Sequence, residues 1–377
     1  MRRTRARRRR RLLLATLVVL AAGAFAIGAA LGDGRSRTVS LEVEVAETLP
    51  PTQLAGQRII TGLSGTAVPP ALRDAVRRGE VAGVVLFAAN FPSREAGRRL
   101  IRQLQGIRRP LGLRDPLLVM VDQEGGLVKR LDGAPSASAA QMGERGAAFS
   151  REQGRLTATN LRDAGVNVDL APVLDVARPG GTISETERGF GATAQGVAAT
   201  AIPFAEGLQA GGVAATGKHF PGFGAATENT DFAVEQIELS RAQLRQVDEA
   251  PYRAFAAAGG ELAMLSTAIY PAFSDRPAAF TRAIATGELR DRVGFEGVSI
   301  TDALETVAVR DFGGPAKAGT AAARAGVDLL LFADLASALQ AQRALVSALR
   351  SKRLLRPAFE ESAQRVLELR GRLAGSG

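Results

Sequence analysis

The chain has 377 residues, 46% of them hydrophobic and 23% charged, a balance that fits one large globular domain or two ordinary ones and excludes a disordered or fibrous protein. Its formal net charge of +10 looks like a nucleic-acid signal until it is located. Ten arginines stand before residue 38 against Asp33 alone, which accounts for nine of the ten excess charges; the remainder is nearly neutral, and no basic surface for nucleic acid is expected.

The arginine-rich start, Arg2 to Arg11, runs into Leu12 to Leu31, twenty residues without a charge, enough to cross about 30 Å of hydrocarbon as a helix. Positive residues stay inside, so the body of the protein is expected outside the cytoplasm. Residues 1–33 are read as an N-terminal anchor, with a cleaved signal peptide as the alternative, because Ala22-Gly23-Ala24 and Ala24-Phe25-Ala26 resemble small-residue cleavage sites. The absence of cysteine excludes lipid attachment through a thiol and excludes disulfides. Residues 34–53 are polar, β-branched and end near Pro50-Pro51, which suits a linker.

Residues 54–377 read as one domain. Short apolar runs recur at Ile59 to Gly62, Gly83 to Phe87, Leu117 to Val121, Val166 to Leu170, Gly212 to Thr216, Leu262 to Ser266, Gly297 to Thr301 and Val327 to Phe332. Helical patterns such as Ser93 to Gln105, Arg151 to Ala164 and Leu335 to Arg350 alternate with them, as expected of strands buried on both faces of a parallel sheet. Eight β-then-α units over this length predict the α/β class and a (β/α)₈ TIM barrel, in preference to an open doubly wound sheet. No Gly-x-Gly-x-x-Gly follows the first run, which counts against dinucleotide binding.

In such a barrel the residues just past each strand line one mouth. Those residues are polar here: Asp122-Gln123-Glu124, Asp169 and Asp175, Lys218-His219 and Asp302, with Arg130 and Arg188 in the long third and fourth loops. Plain structural roles stand beside the functional ones. Asp302 precedes the helix-forming Ala303-Leu304-Glu305 as an N-cap would, Asp169 suits a buried ion pair, and His219, the sole histidine, suits a structural hydrogen bond. One histidine and no cysteine leave no zinc site of the usual ligand types, and no cofactor is expected. Carboxylates, guanidiniums and a Lys-His pair in one mouth are equipment for gripping sugar hydroxyls and for glycoside hydrolysis.

Leu54-Ala55-Gly56-Gln57, Gly83-Val84-Val85-Leu86-Phe87-Ala88-Ala89-Asn90, Val121-Asp122-Gln123-Glu124-Gly125-Gly126, Asn167-Val168-Asp169-Leu170-Ala171-Pro172-Val173-Leu174-Asp175, Lys218-His219-Phe220-Pro221-Gly222 and Ile300-Thr301-Asp302-Ala303-Leu304 occur in order. Together these stretches, covering the chain from Leu54 to its last helix, resemble the N-acetylglucosaminidases (β-N-acetylhexosaminidases) of glycoside hydrolase family 3. The resemblance implies that Asp302 is the nucleophile of a retaining, exo-acting enzyme, and that Asp122, Arg130, Arg188, Lys218 and His219 hold a terminal amino sugar of a cell-wall or extracellular glycan.

One loop departs from the pattern. Where the family carries an Asp-x-His dyad as its acid/base, this chain has Asn229 and Asp231. Asp231 is the first candidate substitute, if burial beside Phe223 and Phe232 raises its pKa, and Glu228 is the second. The alternative is a membrane-tethered sugar-binding protein with little or no turnover. With no tryptophan and only Tyr252 and Tyr270, a long aromatic platform is not expected, which favours recognition of one terminal sugar by a monomer.

Overall fold

Strands form where β-branched and aliphatic residues run together between glycine- and proline-containing turns, and the barrel follows from how those strands pair. The computed structural model describes residues 45–375. Its strands are β1 (Ile59–Gly62), β2 (Gly83–Val85), β3 (Leu118–Val121), β4 (Val168–Asp169), β5 (Ala214–Phe220), β6 (Leu262–Leu265), β7 (Val298–Thr301) and β8 (Leu330–Phe332). Each pairs in parallel with its neighbour in sequence, and β1 pairs with β8. The ring closes between β7 and β8 through the Ile300–Leu329 bridge, with Leu329 donating to Ser299 at 2.8 Å and Thr301 donating to Leu329 at 3.0 Å. The expected (β/α)₈ barrel is the observed fold.

All eight apolar runs are strands, although their lengths differ from the expectation. β4 is cut to two residues because Pro172, which has no N–H to donate, follows closely. β5 extends past Thr216 to Phe220, and its register against β6 slips between Lys218 and Phe220. The helices Arg94–Gln105 and Leu335–Arg350 begin at side-chain caps from Ser93 and Asp334. The helix expected from Arg151 starts earlier, at Ala147.

Two layers of apolar side chains hold the barrel. One lies between strands and surrounding helices; the other fills the ring with Ile60, Val85, Met120, Leu262, Met264, Ile300 and their neighbours. Val366, Leu369 and Leu373 of the helix Arg356–Ala374 join this inner cluster. That helix lies across the ends where strands begin. Arg370 donates to the carbonyls of Leu113 and Pro116 at 3.0 Å and to the Gln57 side chain, while Arg365 donates to Asp328, just before β8, at 2.9 Å. Among the described residues the helix therefore closes the lower end of the ring and leaves the other end open.

The stretch expected as linker up to Gln53 is folded from residue 45 onward. Ala46 and Leu49 are buried in the outer core, and Arg356 donates to the carbonyls of Glu47 and Leu49 at 2.9 and 3.0 Å. Their small apolar side chains fill a gap beside the last helix that composition alone does not reveal. Among the described residues no helix is long and apolar enough to cross a membrane. The expected anchor or signal segment, 1–33, lies outside the described residues.

Candidate active site

The open end of the barrel holds a cavity of about 450 Å³ lined by residues from seven of the strand ends, among them Asp122, Arg130, Arg188, Lys218, His219, Asp231 and Asp302. All the sugar-holding candidates of the sequence lie in this one wall. Glu228 does not line it; it is exposed, and its backbone N–H faces Glu235 at 3.4 Å.

The polar floor is a cluster of five charges. Lys218 donates to Asp122 at 2.7 Å and to Glu124 at 2.6 Å, and Arg130 reaches Asp122 at 3.2 Å. Arg188 grips Glu124 through two parallel bonds of 2.8 Å, the geometry for which a guanidinium fork is suited. Burial pushes both carboxyls up, yet Lys218 and Arg130 hold Asp122 below its ordinary range, and Arg188 and Lys218 hold Glu124 well below its own. Burial would lower the Lys218 ammonium, but Asp122 and Glu124 raise it. Three cations against two anions leave the floor with an excess positive charge, ready to donate to hydroxyl oxygens while Asp122 accepts. Glu124, not singled out among the sequence's site residues, is the piece that keeps Arg188 and Lys218 in place. Its signal was its position in the Asp-Gln-Glu-Gly-Gly stretch.

Backbone shape explains that stretch. Gly125 has φ of +99°, and a Cβ there would meet the Ala137 carbonyl oxygen at 2.2 Å, so only glycine fits. Gln123 is buried and ties the loop down: it accepts from the N–H groups of Arg130 and Leu131 and donates to the carbonyls of Leu131 and Ala134. Gly125→Ala is expected to cost more than about 1 kcal/mol of stability and to weaken sugar binding through Asp122 and Arg130. A thermal melt and a sugar titration check both effects.

Lys218 and His219 are adjacent, yet both line the cavity. In a regular strand neighbours face opposite ways; the slip in the β5–β6 ladder gives the extra residue that allows both. His219 is oriented by Asp175, whose Oδ2 lies 2.8 Å from Nδ1 and whose Oδ1 accepts from the His219 and Phe223 N–H groups at 3.1 and 2.7 Å. With Nδ1–H given to Asp175, Nε2 is the nitrogen left for the cavity.

Asp169 is not the ion-pair partner that its position suggested. It accepts from the Gln123 N–H at 3.0 Å, its other oxygen is buried without a hydrogen bond, and burial pushes its carboxyl up to about 8. The Asp122 and Glu124 charges add to that rise while Lys218, already shared between them, opposes it without prevailing.

Asp302 follows β7 and caps no helix: Oδ1 accepts only from the adjacent Ala303 N–H at 2.8 Å, and the next helix begins at Val307. Asp231 lines the same cavity from the loop after β5 and is exposed at the rim. Crowding on its cavity side, then the Asp302 charge, raise its carboxyl above the ordinary range; Asn229 and His219 act the other way. The expected apolar enclosure between two phenylalanines is half realised. Phe223 is buried, but Phe232 is 79% exposed, so the Asp302 charge takes a share of the work assigned to Phe232. Among the described residues no group of His, Asp and Glu is arranged to hold a metal ion.

The family profile described as "Glycosyl hydrolase family 3 N terminal domain" matches residues 53–369. This chain belongs to glycoside hydrolase family 3. Among its relatives, an uncharacterized secreted glycosyl hydrolase of Arthroderma benhamiae is 37% identical over 85% of this chain and 93% of its own length. A beta-hexosaminidase of Xylella fastidiosa is 34% identical over 77% of this chain and 89% of its own. Of the solved structures, a glycoside hydrolase family 3 beta-N-acetylglucosaminidase from a Paenibacillus species superposes with a TM-score of 0.83 at 31% identity, covering 87% of this chain and 64% of that one. The Beta-N-acetylhexosaminidase of Beutenbergia cavernae does so with a TM-score of 0.79 at 30% identity, covering 86% and 99%.

Proposed function

We propose that this family 3 glycoside hydrolase is a retaining, exo-acting β-N-acetylhexosaminidase that removes terminal amino sugars from cell-wall or extracellular glycans. In this reading Asp302 attacks the anomeric carbon and Asp231 is the acid/base. The observation that carries it is the joint presence of Asp302, the charged cluster and Asp231, whose carboxyl is raised above its ordinary range, in one cavity. Retaining hydrolysis requires a nucleophilic carboxylate and a nearby proton donor about 5 Å away. Support for Asp231 over Glu228 is that only Asp231 lines the cavity. Two relatives bear hexosaminidase names, and a place outside the cytoplasm is supported by the secreted Arthroderma relative and by the apolar segment at 12–31.

In mechanism, Asp122, Arg130, Arg188 and Lys218 fix the sugar through charge-assisted bonds, which orients the anomeric carbon over Asp302. Asp231 gives its proton to the departing oxygen and then takes one from the water that releases the glycosyl-enzyme. The test is release of aryl alcohol from an activated aryl N-acetyl-β-glucosaminide, with the first-formed sugar anomer followed by NMR; a β product supports retention.

Because an activated leaving group needs little protonation, Asp231→Asn is expected to spare kcat/KM for such a substrate, with kcat lowered by slower release of the glycosyl-enzyme, while slowing glycosides with poor leaving groups about 10²- to 10⁴-fold. Raised in the folded protein, the Asp231 carboxyl keeps its proton past the ordinary aspartate range, and wild-type activity on poor leaving groups falls as pH rises through its pKa. The asparagine variant lacks that limb. A pH profile of kcat/KM measures it, and a profile unchanged by the substitution removes Asp231 from the role. The second reading, a sugar-binding protein with little turnover, is favoured by the exposure of Asp231 at the rim. Binding of N-acetylglucosamine without cleavage of the activated substrate decides for it.

A further inference from the structure

Glu305 is a cavity-lining carboxyl that the reaction above does not use. Its Oε1 is held by the N–H of Ala333, directly after β8, whereas Oε2 is shielded from solvent and has no hydrogen-bond partner. Burial first, then the Asp334 charge and, more weakly, Asp302, push the carboxyl up to about 7, with the Ala333 N–H opposing them. Buried carboxyl oxygens are ordinarily satisfied, and one left free in a ligand cavity needs an explanation. In its ionised form this one is a hydrogen-bond donor short.

The position of Glu305 indicates where that donor comes from. It stands three residues past Asp302 on the same loop, with Leu304 between them turned into the core, and on the side of the ring opposite the Asp122–Lys218 grip. A sugar held by that grip with C1 at Asp302 has two atoms next to C1. The ring oxygen carries no proton and so offers nothing to a hydrogen-bond acceptor. The C2 substituent of an N-acetylated sugar carries an amide N–H. A leaving group, by contrast, departs toward the open rim, where Asp231 and Phe232 are exposed, and not toward a shielded oxygen against β8. We propose that Glu305 is a specificity-determining residue whose free oxygen accepts the acetamido N–H of the bound sugar. The inference rests on the sugar-hydrolase reading above and deepens it.

Glu305→Gln is the sharp test, since the amide oxygen can still accept from Ala333 and the NH₂ group then replaces the free acceptor with a donor. For an aryl N-acetyl-β-glucosaminide kcat/KM is expected to fall roughly 10- to 100-fold, the size of leaving one buried group unpaired. An aryl β-glucoside with the same leaving group is expected to keep its rate. Glu305→Ala should narrow the same preference. An equal loss on both substrates overturns the proposal, because it marks a leaving-group or purely structural role, and so does no loss on either. Calorimetric binding of N-acetylglucosamine against glucose reads the same preference without turnover. A wild-type chain that binds the acetylated sugar but cleaves nothing therefore refutes the hydrolase reading alone, while one that binds the two sugars equally refutes the role of Glu305.

Discussion

Asp302→Ala is expected to lower kcat/KM on an activated aryl N-acetyl-β-glucosaminide by at least about 10⁴-fold, in the range seen when a covalent nucleophile is removed. The expectation rests on what the substitution leaves intact. The carboxylate caps no helix and makes a single hydrogen bond, to the neighbouring Ala303 N–H, so the barrel should melt at the same temperature while the chemistry stops. The charged floor is unaffected, and sugar affinity should change little. Small anions such as azide, admitted to the space of the lost side chain, should restore part of the rate and give the α-glycosyl azide, because attack then comes from the face that Asp302 occupied. A variant as active as the wild type would remove Asp302 from the mechanism and require another carboxylate in the same wall.

Glu124→Ala is expected to be the most damaging change to the folded protein among the cavity residues. It removes two bonds to Arg188 and one to Lys218, leaving two buried cations short of countercharge, a defect that costs about 3–5 kcal/mol. A thermal melt or urea titration measures it. The sign with pH is definite. Burial alone would raise this carboxyl, and Arg188 and Lys218 depress it well below the range it has in the unfolded chain. Its ionised form therefore stabilises the fold above the ordinary glutamate range, and that contribution is lost as pH falls toward the depressed value. The gap between wild type and variant should narrow in acid. Glu124→Gln, which keeps the shape and part of the hydrogen bonding, should fall between the two.

The architecture was largely legible in the residues. Eight apolar runs of strand length, each followed by a helical pattern, can satisfy their backbone only by pairing in sequence order and closing, and the polar residues at their ends then have one place to gather. Asp122, Arg130, Arg188, Lys218, His219 and Asp302 all line the cavity for that reason. What the residues did not disclose depends on contacts between distant segments. The raised carboxyl of Asp169 depends first on its burial and then on charges such as Lys218, which is shared between Asp122 and Glu124, 96 and 94 positions from it along the chain. The free oxygen of Glu305 is visible only once Ala333 has taken the other one. Phe232 and Phe223 read alike as apolar letters, yet one is buried and one faces water because the loop between them turns outward. The packed stretch after residue 45 was hidden by its polar composition and is held chiefly by a helix more than 300 residues later.

That last helix has a consequence for how the protein is made. The inner layer of the ring is incomplete until Val366, Leu369 and Leu373 dock beneath it, so the eight strands without this helix have an open, wet base. Assembly must wait for synthesis of that helix, and until then the half-finished barrel offers apolar surface to chaperones or to other nascent chains.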